Sequence, residues 1–129
     1  MIFSATPMLR VPDVRAAVDW YAALGFEIID VGEEDGAATW AHLAFGDSRL
    51  MFNCGGRPSD AERREVDLYL RVDDVDAQYD RLASDVEVVE PPHDTFYGMR
   101  EFIIRDLNRF WITFGEAIDL PSPNPARSQ

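Results

Sequence analysis

Aromatic rings and carboxylates are the residues of this sequence whose chemistry points to a ligand. Flat aromatic faces stack on ring systems and attract cations, and carboxylates add complementary charge. The candidate rings are Trp40, Tyr69, Phe96, Tyr97 and Trp111, and the candidate acids are Asp67 and Glu101. Any single ring is at least as often packed in a core as placed against a ligand. The set as a whole favours a site for a small molecule that is both cationic and aromatic.

The stretch from Phe96 to Glu101 has the strongest pattern for ligand contact. Phe96, Tyr97 and Gly98 precede a predicted strand, and a glycine there lets backbone or ligand approach closely. Aromatic residues in such a loop often cover a binding cleft. Arg100 either clamps an anionic group, pairs with Glu101, or pairs with a carboxylate at an interface, and the sequence leaves these alternatives open.

The two histidines have weaker support as catalytic groups. His42 lies within WAHLAF, in a predicted strand, and His93 lies within PPHDTF, in a predicted loop. A lone histidine in such a place is more often exposed or hydrogen-bonded than a general base, although histidines in general titrate close enough to neutrality for acid–base chemistry. The sequence contains no nucleophile motif, glycine-rich phosphate loop or Cys-x-x-Cys pair.

The charge balance narrows the choice of partners. Of 129 residues, 24 are acidic and 12 are basic, which gives a formal net charge of -12. Such a surface repels phosphates and attracts cations, so we expect neither nucleic acid nor an anionic membrane as a partner. Cys54 is the single cysteine, which excludes an internal disulfide. The opening residues MIFSATPMLRVPD lack the pattern of a signal peptide, so we expect a cytoplasmic protein.

An internal repeat organises the chain. The segment VPDVRAAVDWYAALGFEIID, from Val11, aligns with VDDVDAQYDRLASDVEVVE, from Val72, at a shift close to half the chain. We expect one domain over residues 1–118, with module one at 5–54 and module two at 66–116. A charged connection begins at Gly55. The tail at 119–129 contains three prolines and no apolar period, which predicts a flexible end.

Each copy predicts a strand, a helix and three further strands. The first strands are predicted at 6–11 and 66–72, and an aspartate after each can cap a helix. The first helix ends at Gly25, and spacings of three and four residues define its apolar face. That face comprises Val14, Ala17, Val18, Tyr21 and Leu24, and the corresponding face of the second helix comprises Val75, Tyr79 and Leu82. The remaining strands are predicted at 26–31, 38–45, 49–53, 86–89, 100–105 and 110–114.

Alternation along these strands separates two sheet faces, because successive side chains point in opposite directions. The apolar set under the helices comprises Leu9, Val11, Leu50, Phe52, Leu68, Leu70, Phe110, Ile112 and Phe114. The opposite set comprises Met8, Arg10, Met51, Asp67, Tyr69, Trp111 and Thr113. We expect this second set to line a cleft, with Met8 and Met51 as an adaptable apolar floor.

Two segments resemble the glyoxalase and bleomycin-resistance proteins, that is, the vicinal oxygen chelate superfamily. VPDVRAAVDWYAALGFEI resembles their opening strand and helix, and YGMREFIIRDLNRFWITFGE resembles their last hairpin, so that the likeness covers residues 5–116. It implies an α+β fold in which two tandem βαβββ modules form an open barrel with a central cleft. Asp106, Leu107, Asn108 and Arg109 replace the family's D-P-x-G turn, and we expect Asn108 to supply its positive φ.

Enzymes of this superfamily hold a divalent metal with histidine and glutamate side chains. The resemblance places those positions at Thr6, at Arg49 or Met51, at Asp67 and at Thr113. Only Asp67 is anionic, and a set with one carboxylate does not suit zinc, nickel, iron or manganese. We therefore expect no metal and no other cofactor.

The resemblance then favours the metal-free branch, the bleomycin-resistance proteins, which are homodimers that sequester a bulky cationic aromatic antibiotic unaltered. The predicted function is metal-independent binding of a small molecule. The predicted ligand-binding residues are Met8, Trp40, His42, Met51, Asp67, Tyr69, Phe96, Tyr97, Arg100, Glu101 and Trp111. The alternative is a lyase, isomerase or dioxygenase-like enzyme acting on a small carbonyl substrate, with Asp67, Glu101 or His42 as base. A third hypothesis is an interaction module whose cleft is filled by its own side chains.

Overall fold

The computed structural model describes residues 1–119 of the chain. It divides the chain into two compact units, one ending at Asp60 and the other beginning at Ala61. Each unit contains one four-stranded mixed sheet and one helix, in the order strand, helix and three strands. The predicted α+β class and the tandem βαβββ repeat are confirmed. We call the first unit module one and the second module two.

Module one is built around a helix whose two ends are fixed by its sequence. The Asp13 side chain accepts a hydrogen bond from the backbone N–H of Ala16 at 3.0 Å, and Gly25 ends the helix with a φ of 127°. Its elements are β1 (Met8–Arg10), α1 (Val14–Leu24), β2 (Glu27–Glu34), β3 (Ala37–Phe45) and β4 (Ser48–Asn53). The strand order is β1-β4-β3-β2, and only the β1–β4 pair is parallel.

Module two repeats this plan. The Asp74 side chain caps its helix by accepting from the backbone N–H of Ala77 at 3.0 Å. Its elements are β5 (Asp67–Arg71), α2 (Val75–Leu82), β6 (Glu87–Asp94), β7 (Met99–Arg105) and β8 (Trp111–Ala117). The strand order is β5-β8-β7-β6, with β5 and β8 parallel. The predicted repeat therefore extends to the pairing of the strands.

The helix of each module packs on one face of its sheet, as the alternation of apolar residues predicted. In module one Tyr21 of the helix lies edge-on against Phe52 of the sheet, with ring centroids 4.9 Å apart. In module two Tyr79 lies edge-on against Phe102, which stacks on Phe114 at 4.6 Å. All the sheet residues in these contacts are buried. We call the opposite face of each sheet its open face, and the polar candidates lie there.

Strand β6 is longer than predicted. The sequence placed His93 in a loop, but β6 runs to Asp94 and pairs His93 with Glu101. That part of the prediction was wrong, because the strand continues through Pro91 and Pro92. β6 is an edge strand whose register shifts between Glu90 and His93, and prolines are tolerated at such edges since no ladder hydrogen bond is lost.

The turn between β7 and β8 also differs from its prediction. The residue with positive φ is Arg109, at 74°, and not Asn108. The Asp106 carboxylate accepts hydrogen bonds from the backbone N–H groups of Asn108 at 2.7 Å and Phe110 at 2.9 Å. With these two contacts the residue of positive φ lies one position later than predicted. Arg109 thus occupies the place of the glycine in the family's turn, and its side chain donates to the Ala61 carbonyl at 2.7 Å.

Within residues 1–119 no helix has the length and apolar character needed to span a membrane. The predicted tail at 119–129 lies outside the described residues, apart from Asp119.

Candidate functional site

The most unusual group of module two is the carboxylate of Glu101, on the open face of β7. Glu101 is only 4% exposed. Its Oε2 accepts a hydrogen bond from the Tyr69 hydroxyl at 2.6 Å, and its Oε1 accepts one from the Tyr97 hydroxyl at 2.7 Å. None of the ion pairs within residues 1–119 includes Glu101. A buried anion is therefore held by two neutral donors, and we call these three residues the Glu101 site.

Tyr69 reaches Glu101 because a glycine lies between them. On the open face Glu101 pairs in register with Gly115 of β8, and Tyr69 extends from β5 on the far side of β8. A Cβ atom on Gly115 would lie 2.2 Å from the Tyr69 hydroxyl oxygen, so that only glycine leaves room for this ring. Gly115 is not among the predicted site residues. A glycine inside a strand pattern is a signal of such close approach and would have identified it.

Tyr97 comes to the site from the tight turn between β6 and β7. The turn is closed by Thr95, whose backbone N–H and hydroxyl both donate to the Met99 carbonyl at 2.8 Å, and Gly98 adopts a φ of 84°. The Phe96 ring lies edge-on against the Tyr97 ring, with centroids 5.1 Å apart. Phe96 is 88% exposed and Tyr97 is 56% exposed. The turn therefore presents two accessible rings beside the Glu101 carboxylate.

Both hydroxyls of the site hold their protons more tightly than ordinary tyrosines. Burial of the Tyr69 hydroxyl and its hydrogen bond to Glu101 raise the pKa of Tyr69. The hydrogen bond to Glu101 is the main cause that raises the pKa of Tyr97. An ionised phenolate would meet the Glu101 carboxylate at hydrogen-bond distance. The two tyrosines therefore stay neutral donors at and above neutral pH.

These raised pKa values predict a loss of stability in alkali. Unfolded tyrosines ionise near pH 10, whereas Tyr69 and Tyr97 keep their protons in the folded chain. The stabilisation is complete below about pH 10 and declines as the pH rises toward the folded pKa values. We expect the free energy of unfolding to fall more steeply between about pH 10 and pH 12 in the wild type than in Tyr69→Phe/Tyr97→Phe. Urea denaturation at each pH measures it, and equal slopes would contradict the two hydrogen bonds.

Asp67 and Trp111 lie side by side on the open face of module two but are already covered. They pair in register, and Arg63 forms two hydrogen bonds with the Asp67 carboxylate. The same guanidinium lies over the Trp111 ring at 4.2 Å, and the indole N–H donates to the Glu62 carbonyl at 3.0 Å. A ligand at these two residues would have to displace Arg63.

Arg100 lies on the helix-covered face and not beside the Glu101 carboxylate. Its guanidinium pairs with Asp76 of α2 at 3.1 Å and with Asp94 of β6 at 2.8 Å. The predicted alternative of a pair with Glu101 is wrong, because neighbouring residues of a strand point to opposite faces. These contacts raise the pKa of Arg100, with the Asp76 hydrogen bond as the largest cause. Arg100 links α2 to the sheet.

The open face of module one brings together the other candidates. Met8 pairs in register with Met51, and Met51 pairs with His42, so these side chains share the face. The Trp40 and His42 rings have centroids 6.0 Å apart. The His42 Nε2 atom is buried without a hydrogen-bond partner, and so is the Oδ1 atom of Asn53 on the neighbouring strand. The favoured prediction for His42 was an exposed or hydrogen-bonded side chain, and Asn53 is not among the predicted site residues.

The superfamily's metal positions do not fit a metal in this chain. Transition metals need several imidazole or anionic donors. Three of the four positions offer none, since they carry the hydroxyl of Thr6, the hydroxyl of Thr113, and the thioether of Met51 or the guanidinium of Arg49. The remaining position, Asp67, is engaged by Arg63. Side chains of these types do not make a transition-metal site.

A separate acidic cluster near the start of α2 has a structural explanation. Oxygen atoms of Asp74, Asp76 and Glu116 lie within 4.8 Å of one another. Asp74 and Glu116 accept hydrogen bonds from backbone N–H groups of the first helical turn, and Asp76 pairs with Arg100. These carboxylates cap and anchor the helix.

A known family model matches most of the chain. Residues 4–114 match the model of the glyoxalase/bleomycin resistance protein/dioxygenase superfamily, and the chain belongs to this superfamily. No curated protein sequence matches the chain.

Solved structures of the same fold include one bound to an antibiotic. TioX from Micromonospora sp. ML1 is 25% identical, with a TM-score of 0.73 over 90% of this chain and 100% of TioX. A bleomycin-binding protein from Streptomyces verticillus, in complex with copper(II)-bleomycin, is 27% identical, with a TM-score of 0.65 over 88% of this chain and 95% of that one. A superfamily member from Sphaerobacter thermophilus DSM 20745 is 20% identical, with a TM-score of 0.69 over 90% of this chain and 98% of that one. This likeness supports the fold alone.

Proposed function

We propose that this protein binds a small molecule that is cationic and aromatic, without a metal and without altering it. The observation that carries the proposal is the Glu101 carboxylate, buried on the open face with two tyrosine hydroxyls and, among the residues up to Asp119, no cationic side chain paired to it. Placing an unpaired charge out of water costs several kcal/mol, and hydroxyl donors offset only part of that. A cationic group of a ligand would supply the missing partner.

The surroundings of Glu101 suit the aromatic part of such a ligand. The exposed Phe96 and Tyr97 rings offer faces for stacking and for attraction of a cation. Tyr97 is the donor that a ligand would replace at Oε1, because it lies on a turn while Tyr69 extends from a strand across Gly115. The net charge of -12 raises the local concentration of cations around the whole protein.

The relative from Streptomyces verticillus supports an antibiotic-sequestration version of this function, since it is described as a bleomycin-binding protein. The competing enzyme hypothesis has less support, because Asp67, one of its three candidate bases, is engaged in an ion pair with Arg63.

The proposal of a small-molecule binding protein also includes a homodimer and a cytoplasmic location. Light scattering coupled to gel filtration tests the dimer.

Calorimetry with three compounds tests the proposed function. We expect metal-free bleomycin, copper(II)-bleomycin or the planar cation proflavine to bind with measurable heat, and mass spectrometry to recover the compound unchanged. Retention of binding in the presence of a chelator is the expected result for metal-independent recognition. Absence of heat with all three compounds would remove the sequestration proposal, and a modified product would favour an enzyme.

A further inference from the structure

Module one contains two buried polar side-chain atoms that have no hydrogen-bond partner in the protein. His42 Nε2 on β3 and Asn53 Oδ1 on β4 have no partner. His42 pairs in register with Met51, two residues before Asn53, so the two side chains are diagonal neighbours on the open face. Side chains in this relation can be bridged by one small group. We call His42 and Asn53 the acceptor pair.

An unmet acceptor pair needs a physical explanation. Native proteins satisfy most buried polar atoms, and each one left alone costs about 1–3 kcal/mol. A leucine at either position would avoid this cost on a face that already carries Met8 and Met51. A group that donates two hydrogen bonds, one to each atom, would satisfy both, with the His42 proton on Nδ1 leaving a lone pair on Nε2.

The positive charge of Arg10 limits the kind of group that can donate hydrogen bonds to the acceptor pair. Arg10 pairs in register with Asn53 on the same face, and its guanidinium packs against Gly55, where a Cβ atom would lie 3.3 Å from one guanidinium nitrogen. None of the ion pairs within residues 1–119 includes Arg10. Positive charge at this place disfavours an ammonium group and favours a group with a carbonyl oxygen.

We propose that the acceptor pair and Arg10 form a second binding site, for a primary carboxamide or carbamoyl group. The NH2 of that group donates to Asn53 Oδ1 and His42 Nε2, and its carbonyl accepts from the Arg10 guanidinium. Trp40, which packs over Gly32 with its ring 6.0 Å from the His42 ring, adds an aromatic face beside the site. Met51 has the adaptable side chain that moves to admit the ligand.

Nuclear magnetic resonance of the full chain with benzamide tests this site. We expect benzamide to shift the His42 Nε2 signal saturably, and N,N-dimethylbenzamide, which has no N–H donor, to bind at least about fivefold more weakly. Benzoate, which has the same ring but only acceptor oxygens, should bind more weakly than benzamide, because its attraction to Arg10 does not replace the two donated hydrogen bonds. This comparison uses the wild-type chain and does not depend on any variant folding.

Variants separate the second site from a structural role and from the Glu101 site. Asn53→Leu should lose about fivefold or more of the benzamide affinity while its melting temperature stays level or rises, because an unmet buried acceptor is removed. Asn108→Leu removes another buried amide with an unmet atom, in module two, and should leave the affinity unchanged. Glu101→Gln should also leave it unchanged, so that failure of one site is distinguishable from failure of the other. No saturable shift, or equal binding of the three compounds, would overturn the proposal.

Discussion

Glu101→Gln is expected to weaken binding of proflavine by about 10-fold to 100-fold. A hydrogen bond to a charged group contributes about 1.5–3 kcal/mol, and each 1.4 kcal/mol is about a factor of ten in the dissociation constant. Glutamine keeps the shape: its amide oxygen accepts from one of the two tyrosine hydroxyls, and its NH2 group donates to the oxygen of the other, so the loss reports mainly the charge. Calorimetry of the wild type and the variant at the same ionic strength measures the effect.

Glu90→Gln is the matched control for this experiment. It makes the same change of charge on β6 of the same sheet, at a side chain that is 56% exposed. We expect its affinity for proflavine to stay within about twofold of the wild type, because exposed charges are screened by salt. The melting temperature of Glu101→Gln should not fall, since a buried charge is removed. Equal losses in the two variants would show that the cation responds to the net charge and not to the Glu101 site.

Local sequence patterns were sufficient to predict the order of the elements and, apart from the second half of β6, their approximate extent and faces. Asp13 and Gly25 mark the two ends of α1 because a capping side chain and a residue free to adopt positive φ are local requirements. The placement of Tyr69 and Met51 on the open faces followed from the two-residue period of a strand. These properties depend on near neighbours in the chain and can be predicted without knowing the fold.

The partners of each side chain could not be predicted, because they depend on contacts between distant segments. Three features of module two could therefore not be predicted from the sequence. Arg63 covers Asp67 and Trp111, and Arg100 pairs with Asp76 and Asp94. The Glu101 carboxylate accepts hydrogen bonds from two tyrosine hydroxyls. Each concerns a choice among many charged groups of similar chemistry. The superfamily resemblance gave no help here, since it concerns a different set of positions for the metal.

Gly115→Ala is expected to destabilise the protein by about 1–3 kcal/mol, through overpacking against Tyr69. The added Cβ would lie 2.2 Å from the Tyr69 hydroxyl oxygen, so the ring must leave Glu101. Thermal denaturation should show a melting temperature lower by several degrees. Gly32→Ala is the control, because its Cβ would make only an ordinary contact with Trp40 at 3.4 Å. It should be neutral or slightly stabilising.

A double-mutant cycle distinguishes overpacking against Tyr69 from a general intolerance of β8 for alanine at position 115. In a Tyr69→Ala background the space beside residue 115 is free, so Gly115→Ala should be neutral there or stabilise by about 0.5 kcal/mol, since alanine loses less backbone entropy than glycine. The reversal of sign is the expected result. The same destabilisation in both backgrounds would mean that Gly115 serves the backbone of β8 and not the approach of Tyr69 to Glu101. In that case the Glu101 carboxylate of the Gly115→Ala variant would keep both of its hydroxyl donors. A loss of proflavine affinity in this variant would then have a cause other than displacement of Tyr69.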